Sequence, residues 1–578
     1  MKVEINNQIV NIKEGQTILS AIKSIGLNVP TLCHINDLFP SGACRMCVVE
    51  VEGAKNLLPS CSLEASEGMK IKTHSPRVLN ARRTILELLL ANHPDDCLYC
   101  DKNGQCELRN LAEELGIRQR KYKTQQIEHH IDSSSPSIIR DPSKCILCGR
   151  CVRVCEEIQT VSSIDFIERG SKTFVAPAFN DGLNITSCVN CGQCVMVCPT
   201  GALTEHNNIK EVLNALNDPD KHVIIQHAPA ISVTIGEFFN FEPGADVCGQ
   251  MTGALKQIGF DKVFDTSFTA DLTIMEEASE LVYRIKNGGK LPMLTSCSPG
   301  WIKFVEHFYP EFIPNLSTCK SPQQMLGALI KNYYAEKEKI DPSNIFSVSI
   351  MPCTAKKFEA NRQEMMSHGN PDIDVSLTTR ELAKLFKMLN INLKTFKPEE
   401  ADNPMGERTS AGKIFGVTGG VMEAAIRTAH YFITGRELET LEVKPVRDLK
   451  GIKEASLNID NIIVNVAVVN GLGNARKVLE DIKSGKKNYH FIEVMTCPGG
   501  CISGGGQPYG LNTEEVQFRM KALYDIDNNE NIRVSHKNES VKKLYNEYLG
   551  EPLGEKSHSL LHTRYIDRRK NKELIIHE

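Results

Sequence analysis

The chain has 578 residues, of which 41% are hydrophobic and 24% charged, and its formal net charge is −4. This length predicts several domains, and without a basic surplus neither nucleic acid nor an anionic membrane surface is expected as a partner. The N-terminal stretch MKVEINNQIVNIKEG lacks the apolar core of a signal peptide, and no apolar run reaches the roughly 18 residues of a membrane span. We therefore expect a soluble, cytoplasmic protein.

Cysteine usage is the unusual feature of the composition. The chain has 21 cysteines, and most of them stand in C-x2-C steps. Cysteines this close in sequence rarely pair with each other, and in a reducing compartment such clusters indicate metal or redox chemistry more often than structural disulfides. Each cysteine cluster is therefore a predicted metal site.

Residues 1–78 are predicted to form a small β-rich domain with one metal centre. KVEINNQIVNI is typical of a hairpin, TILSAIKSIG of a helix and MCVVEVEG of a strand. The cysteines follow the pattern C-x10-C-x2-C-x13-C and are Cys33, Cys44, Cys47 and Cys61. Four thiolates fit a 2Fe-2S cluster, and a structural zinc is the alternative.

Residues 79–124 are predicted to contain a helix, ARRTILELLLA, and a second centre. The motif H-x3-C-x2-C-x5-C comprises His93, Cys97, Cys100 and Cys106. Three cysteines and a histidine suit zinc as readily as iron, and on an iron-sulfur cluster a neutral imidazole would raise the reduction potential. The polar stretch HHIDSSSPS that follows is predicted to be a linker.

Residues 125–208 carry the most specific motif, an internal repeat of C-x2-C-x2-C-x3-C. This doubled pattern is typical of a two-cluster bacterial ferredoxin domain, in which the fourth cysteine of each run binds the other cluster. One 4Fe-4S cluster is therefore assigned to Cys145, Cys148, Cys151 and Cys198. The other is assigned to Cys188, Cys191, Cys194 and Cys155.

Residues 209–578 are predicted to form a large α/β domain. HVIIQHAP, KLPMLTSC, NIFSVSIMPC, IIVNVAVVNG and YHFIEVMTC are apolar strand patterns, and TIMEEASELVYRIKNGG, TTRELAKLFKML and ARKVLEDIKSG have helical periodicity. This alternation favours largely parallel, buried sheets, which bind ligands at the carboxyl ends of their strands. Cys297, Cys353 and Cys497 each follow such a strand.

Three motifs in this domain, TSCSPGW (295–301), MPCTAKKFEA (351–360) and EVMTCPGGCISGGGQP (493–508), resemble those of the FeFe hydrogenases. With the four upstream motifs, the resemblance is to the monomeric clostridial type with four accessory clusters. It implies a multi-domain α/β protein: an N-terminal β-grasp 2Fe-2S ferredoxin-like domain, a small His/Cys3 domain, a two-cluster ferredoxin domain and an H-cluster domain. The last residues, YIDRRKNKELIIHE, extend past the usual end of the family.

The resemblance also implies the cofactors and activity. They are one 2Fe-2S cluster, three accessory 4Fe-4S clusters and an H-cluster, which is a cubane joined to a two-iron unit with CO, cyanide and azadithiolate. Proton reduction to H2 and its reverse are expected. By motif, Cys353, Cys497 and Cys501 are cubane ligands, with Cys501 the bridge to the two-iron unit, and Lys356 hydrogen-bonds a cyanide. The remaining pocket residues implied are Ala228, Pro229, Gln323, Met351, Phe415 and Met495.

At one cubane ligand the sequence departs from the family, which has two adjacent cysteines before the proline. Here these positions are Cys297, the proton-transfer cysteine, and Ser298. Serine oxygen is a harder and less acidic donor than thiolate, and iron-sulfur clusters favour sulfur. Three arrangements are open: Ser298 binds through oxygen, Cys297 shifts to bind instead, or the additional Cys319 assists. We favour a direct role for Ser298, and interpret Cys248 and Cys319 as buried thiols.

The resemblance further implies a proton route. Glu277 and Glu280 lie three residues apart on one predicted helical face, and Ser317 and Arg284 match the relay hydroxyl and the charge near the surface end. The expected order is the Arg284 vicinity, Glu280, Ser317, Glu277 and Cys297. Without the family match, two such glutamates would be interpreted as solvated surface residues.

Ferredoxin or flavodoxin is the expected electron partner, and separate maturation proteins are expected to supply the two-iron unit. Two alternatives remain: an H2-sensing or electron-bifurcating hydrogenase subunit, and a non-enzymatic iron-sulfur scaffold. A scaffold would need neither the glutamate pair nor Cys297, whereas Ser298 favours a weakened or regulatory enzyme.

Overall fold

The computed structural model describes residues 1–36, 38–122, 124, 129–460, 462–510 and 512–569. The predicted domain boundary at 124/125 and most of the C-terminal extension therefore lie at or outside the edge of the described residues. The strands are Lys2–Ile5, Gln8–Asn11, Val48–Val51, Leu58–Pro59, Lys70–Lys72, Ile138–Arg140, Asp165–Ile167, Phe174–Ala176, Leu203–Glu205, His222–His227, Lys262–Asp265, Met293–Leu294, Ile345–Met351, Met366–Ser367, Asn370–Pro371, Val375–Thr378, Ile452–Ile459, Ile462–Asn470 and Phe491–Met495.

The α-helices connect these strands, together with short 3₁₀ and π turns. They are Ile18–Ser24, Pro76–Ala91, Glu107–Glu114, Arg150–Arg153, Gln193–Val197, Ile209–Leu216, Pro229–Ser232, Cys248–Ile258, Ser267–Asn287, Pro299–Phe308, Pro322–Leu329, Ala335–Glu338, Ala355–Ala360, Thr379–Met388, Ser410–Lys413, Gly420–Thr434, Leu472–Lys483, Thr513–Asn529, Glu539–Leu544 and Glu555–Leu561. Among the described residues, none of these helices combines the length and apolar character needed to cross a bilayer.

The N-terminal residues form a five-stranded sheet packed against the helix Ile18–Ser24. The predicted hairpin is confirmed, because Lys2–Ile5 pairs antiparallel with Gln8–Asn11. Ile5, Ile18 and Val49 are buried in one apolar cluster that also contains two of the cysteines of this domain. The sheet core and the predicted metal centre are therefore adjacent.

The repeated cysteine motif is repeated in the backbone as well. Gly149 and Gly192 occupy the same place in the two runs and have φ of 73° and 70°, a left-handed conformation that favours glycine. A short helix starts directly after each of them, at Arg150 and at Gln193. The two runs thus form equivalent loop-helix units.

The stretch predicted to be a linker is packed against this unit. Asp132 and Ser135 are buried, and the Asp132 carboxylate accepts hydrogen bonds from Ser134 N and Leu183 N at 3.0 Å each. The buried polar residues satisfy loop backbone groups, whereas His130, Ser133 and Ser134 are exposed, and sequence composition alone cannot distinguish the two environments.

Two four-stranded sheets organise residues 209–569. The first has four parallel strands in the order Lys262–Asp265, His222–His227, Ile345–Met351 and Val375–Thr378. The second has the order Met293–Leu294, Phe491–Met495, Ile462–Asn470 and Ile452–Ile459, and its last strand is antiparallel. The predicted parallel sheets are confirmed except for this edge hairpin.

One arginine joins the ferredoxin-like unit to the α/β domain. Arg380 is 2% exposed, and its guanidinium binds both oxygens of Glu205, at 3.1 and 2.9 Å. It also donates to Gln507 O at 2.5 Å and Gly505 O at 2.7 Å. Burial opposes ionisation of Glu205, but the Arg380 charge outweighs it and lowers the pKa of Glu205 to about 2.

We predict that Arg380→Met lowers the free energy of unfolding by about 3–5 kcal/mol, because it leaves the buried Glu205 charge unpaired. Denaturant unfolding of the protein with its iron-sulfur clusters bound measures the loss of stability. The double variant Arg380→Met/Glu205→Gln removes both charges and should lose less. A double variant as unstable as the single one would contradict this account of the joint.

Candidate active site and metal-binding cavities

A cavity at the carboxyl ends of the two large sheets collects the residues of all three large-domain motifs. It encloses about 760 Å³ of space not filled by atoms, including its mouth. Its lining is mostly apolar and includes four cysteines and one lysine. The predicted site residues that line it are Ala228, Pro229, Cys297, Ser298, Gln323, Met351, Cys353, Lys356, Phe415, Met495, Cys497 and Cys501.

Strand ends position the cysteines of this cavity. Cys353 follows Met351 by two residues and Cys497 follows Met495 by two, so both lie directly beyond parallel strands. Cys297 stands three residues past the short strand Met293–Leu294, and the helix Pro299–Phe308 begins after Ser298. A proline at the first helical position suits this sharp strand-to-helix turn, since its missing N–H would have no partner there.

Glycines bring the third large-domain motif, EVMTCPGGCISGGGQP (493–508), close to the Cys353 and Cys191 loops. A Cβ on Gly504 would lie 2.1 Å from Pro352 O, and one on Gly505 would lie 2.2 Å from Cys191 O. A Cβ on Gly506 would lie 3.0 Å from the backbone nitrogen of Cys353. Only glycine permits this backbone-to-backbone contact, which closes the cavity wall between Cys353 and Cys501.

The donor set fits an iron-sulfur group. Burial raises the pKa of Cys353, Cys497 and Cys501, the last to about 12, and neighbouring thiols raise it further at Cys497 and Cys501. Thiols this reluctant to ionise are poor nucleophiles but become thiolates on a coordinating metal. Three soft sulfur donors in an apolar cavity favour an iron-sulfur cluster over a hard cation.

Ser298 lines the same cavity, with its hydroxyl held by Thr496. Ser298 Oγ lies 2.7 Å from Thr496 Oγ1 and accepts a hydrogen bond from Thr496 N at 3.3 Å. Cys319 is not among the residues lining this cavity; its Sγ lies 4.0 Å from Glu280 Oε2. The suggestion that Cys319 assists at the fourth ligand position is therefore not supported, because its thiol belongs to a different cluster of polar groups.

Lys356 is buried and directed towards the cavity by an ion pair. Its ammonium donates to Glu359 Oε2 at 2.8 Å and to Cys297 O at 3.2 Å. An ammonium has three N–H donors, so one is left for a group in the cavity. Glu359 also accepts from Ser321 and from Gln323, which fixes the carboxylate that holds Lys356.

The predicted proton-route residues are buried and adjacent. Arg284 donates to Glu280 Oε1 at 2.5 Å, and Ser317 donates to Glu280 Oε2 at 2.9 Å. Burial, and then the Glu280 charge, raise the pKa of Glu277 to about 8, and the Ser317 hydroxyl partly opposes this. The pKa of Cys297 is raised well above its usual value by burial and then by Glu277. The interpretation of these glutamates as surface residues is wrong.

Two smaller cavities lie in the ferredoxin-like unit. One encloses about 440 Å³ and is lined by Cys145, Cys148, Cys151 and Cys198. The other encloses about 460 Å³ and is lined by Cys155, Cys188, Cys191 and Cys194. Each cavity thus combines three cysteines of one run with the fourth of the other.

The two N-terminal cysteine groups differ in exposure. All four cysteines of the first domain are buried, and the pKa of Cys33 is lowered by hydrogen bonds from Cys44 and Cys61, so their sulfur atoms converge. In the second segment His93 and Cys106 are buried, Cys100 is half-buried and Cys97 is exposed. Burial and then the Cys100 and Cys97 thiols raise the pKa of Cys106.

Packing contacts connect the cysteine groups in series. Cys33, Cys44, Cys106 and Cys148 share one apolar cluster, so both N-terminal groups adjoin the first ferredoxin-like cavity. At the other end of this unit, Gly192 packs on Thr354, whose hydroxyl donates to Asn190 O at 2.7 Å. The second ferredoxin-like cavity therefore abuts the main cavity.

Sequence reasoning missed two residues of this site. Thr496 holds Ser298, and it stands beside Cys497 in the motif without any spacing signal of its own. Glu359 pairs with Lys356, and here a signal existed, because an i,i+3 Lys-Glu spacing on a helix brings the two charges together.

Comparison with protein families matches the whole order of segments. Residues 221–505 match the iron only hydrogenase large subunit, C-terminal domain, and 513–568 the iron hydrogenase small subunit. Residues 1–76 match a 2Fe-2S iron-sulfur cluster binding domain and 144–202 a 4Fe-4S dicluster domain. Residues 82–121 match the NADH-ubiquinone oxidoreductase-G iron-sulfur binding region.

Individual relatives cover nearly the full chain. NADP-reducing hydrogenase subunit HndD of Solidesulfovibrio fructosivorans is 48% identical, over 99% of both chains. Iron hydrogenase 1 of Clostridium pasteurianum is 43% identical, over 97% of this chain and 99% of its own. A solved structure of [FeFe]-hydrogenase HydA1 from Chlamydomonas reinhardtii is 42% identical with a TM-score of 0.57, over 63% of this chain and 99% of its own.

We predict that Glu277→Gln changes how stability depends on pH. Glu277 has a folded pKa of about 8 against an ordinary 4.5, so the folded protein keeps this proton where the unfolded chain loses it. Wild-type stability should therefore fall as pH rises through that window, relative to the variant. Thermal unfolding of both proteins at several pH values measures the gap, and a gap that does not change with pH would contradict the raised pKa.

Proposed function

The chain belongs to the iron-only hydrogenase family of oxidoreductases acting on H2, and we propose that it reduces protons to H2 reversibly with single electrons passed along its iron-sulfur clusters. The main support is the cavity in which Cys353, Cys497, Cys501 and Lys356 meet at the ends of the two sheets. We further propose a cytoplasmic enzyme, consistent with cysteines that form no disulfide within the described residues.

We propose four accessory centres, one in each cysteine group. A β-grasp domain would hold the 2Fe-2S cluster, a His/Cys3 segment one 4Fe-4S cluster, and the ferredoxin domain two more. The proposed ligands are, in that order, Cys33, Cys44, Cys47 and Cys61; His93, Cys97, Cys100 and Cys106; Cys145, Cys148, Cys151 and Cys198; and Cys155, Cys188, Cys191 and Cys194. The last two ligand sets are supported by the two smaller cavities, because each is lined by three cysteines of one run and the fourth cysteine of the other.

In the main cavity, Cys353, Cys497, Cys501 and Ser298 are the proposed ligands of the H-cluster cubane. When bound, the H-cluster supplies the iron at which protons and electrons combine to give H2. Lys356 offers its remaining N–H to an anionic diatomic ligand, a charge-assisted hydrogen bond that is strong in a buried site. A largely apolar wall excludes water from this site. It consists of Ala228, Pro229, Met351, Phe415 and Met495, together with the amide of Gln323.

Cys297, Glu277, Ser317 and Glu280 are the proposed proton carriers. Glu277 lies between the other groups with a pKa near neutrality, which suits a group that must both accept and release a proton. Ser317 bridges towards Glu280 through its hydroxyl, and Arg284 fixes Glu280. Glu277, Ser317 and Glu280 are buried and Cys297 lines the main cavity, so protons pass between neighbouring side chains or single waters.

Electrons are proposed to enter near the His/Cys3 segment from ferredoxin or flavodoxin. Leu98 and Tyr99, between two proposed ligands, are 85% and 90% exposed, so apolar surface adjoins the centre. A second candidate, a subunit of a larger hydrogenase assembly, is favoured by the 48% identity to a protein named as a subunit. In either case, separate maturation proteins are proposed to supply the two-iron unit.

We predict that Ser298→Cys slows loss of cubane iron to a chelator, because a thiolate replaces a weaker oxygen donor. Iron retention and the electron paramagnetic resonance of the reduced protein measure this. Ser296→Cys, which adds a thiol nearby but outside the cavity lining, is the control. If Cys297 were the fourth ligand instead, Cys297→Ser would lose the cubane and Ser298→Cys would leave its iron retention unchanged.

We predict that the matured chain alone evolves H2 from chemically reduced ferredoxin or flavodoxin, and that Tyr99→Ser lowers this rate but not the rate with a small dye donor. Gas measurement with each donor tests the prediction. Activity with the dye and none with ferredoxin or flavodoxin would favour the subunit candidate. No activity with any donor, despite infrared bands of CO and cyanide, would contradict the hydrogenase proposal itself.

A further inference from the structure

Arg284 stands at the outer end of the proposed proton route. Arg284 donates to Glu280 and to the carbonyl oxygens of Lys290, Asn315 and Leu316. A guanidinium stays protonated in proteins, so Arg284 can hold Glu280 in place but cannot pass a proton to it. Glu280 therefore needs another neighbour that exchanges protons.

We propose that Cys319 and His562 form this connection, a proton entry branch that joins the route at Glu280. The inference rests on the proposed route through Glu277 and Glu280. Cys319 Sγ lies 4.0 Å from Glu280 Oε2, and one donor or acceptor atom from each of Glu280, Cys319 and His562 lies within 4.8 Å of the other two. All three side chains are buried, so this contact is protected from bulk solvent.

His562 is held in a geometry suited to proton relay. One ring nitrogen lies 3.2 Å from Glu276 Oε2 and the other 2.8 Å from Thr318 Oγ1. Glu276 is itself fixed by Tyr545 OH at 2.5 Å and Leu553 N at 2.8 Å. A carboxylate beside an imidazole orients the ring, so both nitrogens of His562 are held in hydrogen-bond contact with neighbouring groups.

The branch reaches the surface through a second histidine. The rings of His558 and His562 are stacked, with centroids 4.5 Å apart, and His558 is exposed. The ionisable groups facing this pair are Glu276, Glu280, Cys319 and, near His558, Arg564. Burial and then His562 lower the pKa of His558, and Glu276 and Glu280 partly oppose this.

Only a proton moves along this branch. His558 or an adjacent water gives a proton to His562. The proton then passes to a Glu280 oxygen, either through the Cys319 thiol, which releases one proton as it accepts another, or through one bridging water. No bond other than those to hydrogen changes and no electron is transferred.

The test uses the matured full-length protein with a small dye donor, so that the electron partner has no influence. Cys319→Ala and His562→Gln should each lower H2 evolution by roughly tenfold, less than the ~100-fold or greater loss expected for Glu277→Gln, through which all protons pass. Cys319→Ser should restore most of the rate, since a hydroxyl can relay at the same place. The solvent isotope effect should rise in Cys319→Ala, whereas the infrared bands of CO and cyanide should not change.

Two comparisons separate relay from structural damage. His558→Ala should lose rate and regain it with added imidazole, which a folding defect would not do. Cys248→Ala removes a thiol remote from the route and should keep the wild-type rate. Wild-type rates and isotope effects in both Cys319→Ala and His562→Gln, with Glu277→Gln inactive, would overturn the branch alone. An active Glu277→Gln variant would overturn the underlying route as well.

Discussion

The close approach of Gly504, Gly505 and Gly506 to the backbones around Pro352 and Cys191 is the constraint on which the site depends. A side chain at Gly504 or Gly506 would force the third motif away from the second, and one at Gly505 would force it away from the Cys191 loop. The cavity would then lose the geometry that sets Cys353 opposite Cys501. The same contact brings the loop of Cys191 against the cavity wall, so the main cavity and the second ferredoxin-like cavity share one packing interface.

Buried charge is the second organising element, and it occurs in two different arrangements. Arg380 with Glu205, and Lys356 with Glu359, are closed pairs that hold one loop or side chain in position. Glu277 has no countercharge, and within the described residues neither of its oxygens receives a hydrogen bond of normal geometry. Protonation of Glu277 therefore removes a charge that no neighbouring group balances. Fixed pairs position the site, whereas this one unpaired carboxyl is free to titrate.

The fold of this chain was largely predictable where local pattern and tertiary role agree. The hairpin at Lys2–Asn11 and the sheet strands ending before Cys353 and Cys497 follow from alternation and β-branched runs. The edge strand Ile452–Ile459 was missed because three of its eight residues are exposed and its apolar pattern is weak. The packed segment around Asp132 was read as a linker, since polar composition does not reveal which backbone groups a side chain will satisfy.

For the site, motif spacing indicated which residues meet but not what their side chains bind. The cavity lining agrees closely with the residues that the motifs implied. The hydrogen bond of Ser298 to Thr496, and the separation of Cys319 from the cavity, depend on side-chain directions that no spacing encodes. The surroundings of Ser298 and the proximity of Glu280 to His562 were therefore accessible only from three-dimensional geometry.

The guanidinium of Arg380 makes the glycine loop depend on a neighbouring unit of the chain. Its bonds to Gly505 O and Gln507 O hold the glycine loop, while its carboxylate partner comes from the preceding ferredoxin-like unit. The loop gains its final support only after that unit has docked. One wall of the main cavity is therefore held by a contact that neither the ferredoxin-like unit nor the α/β domain can make alone.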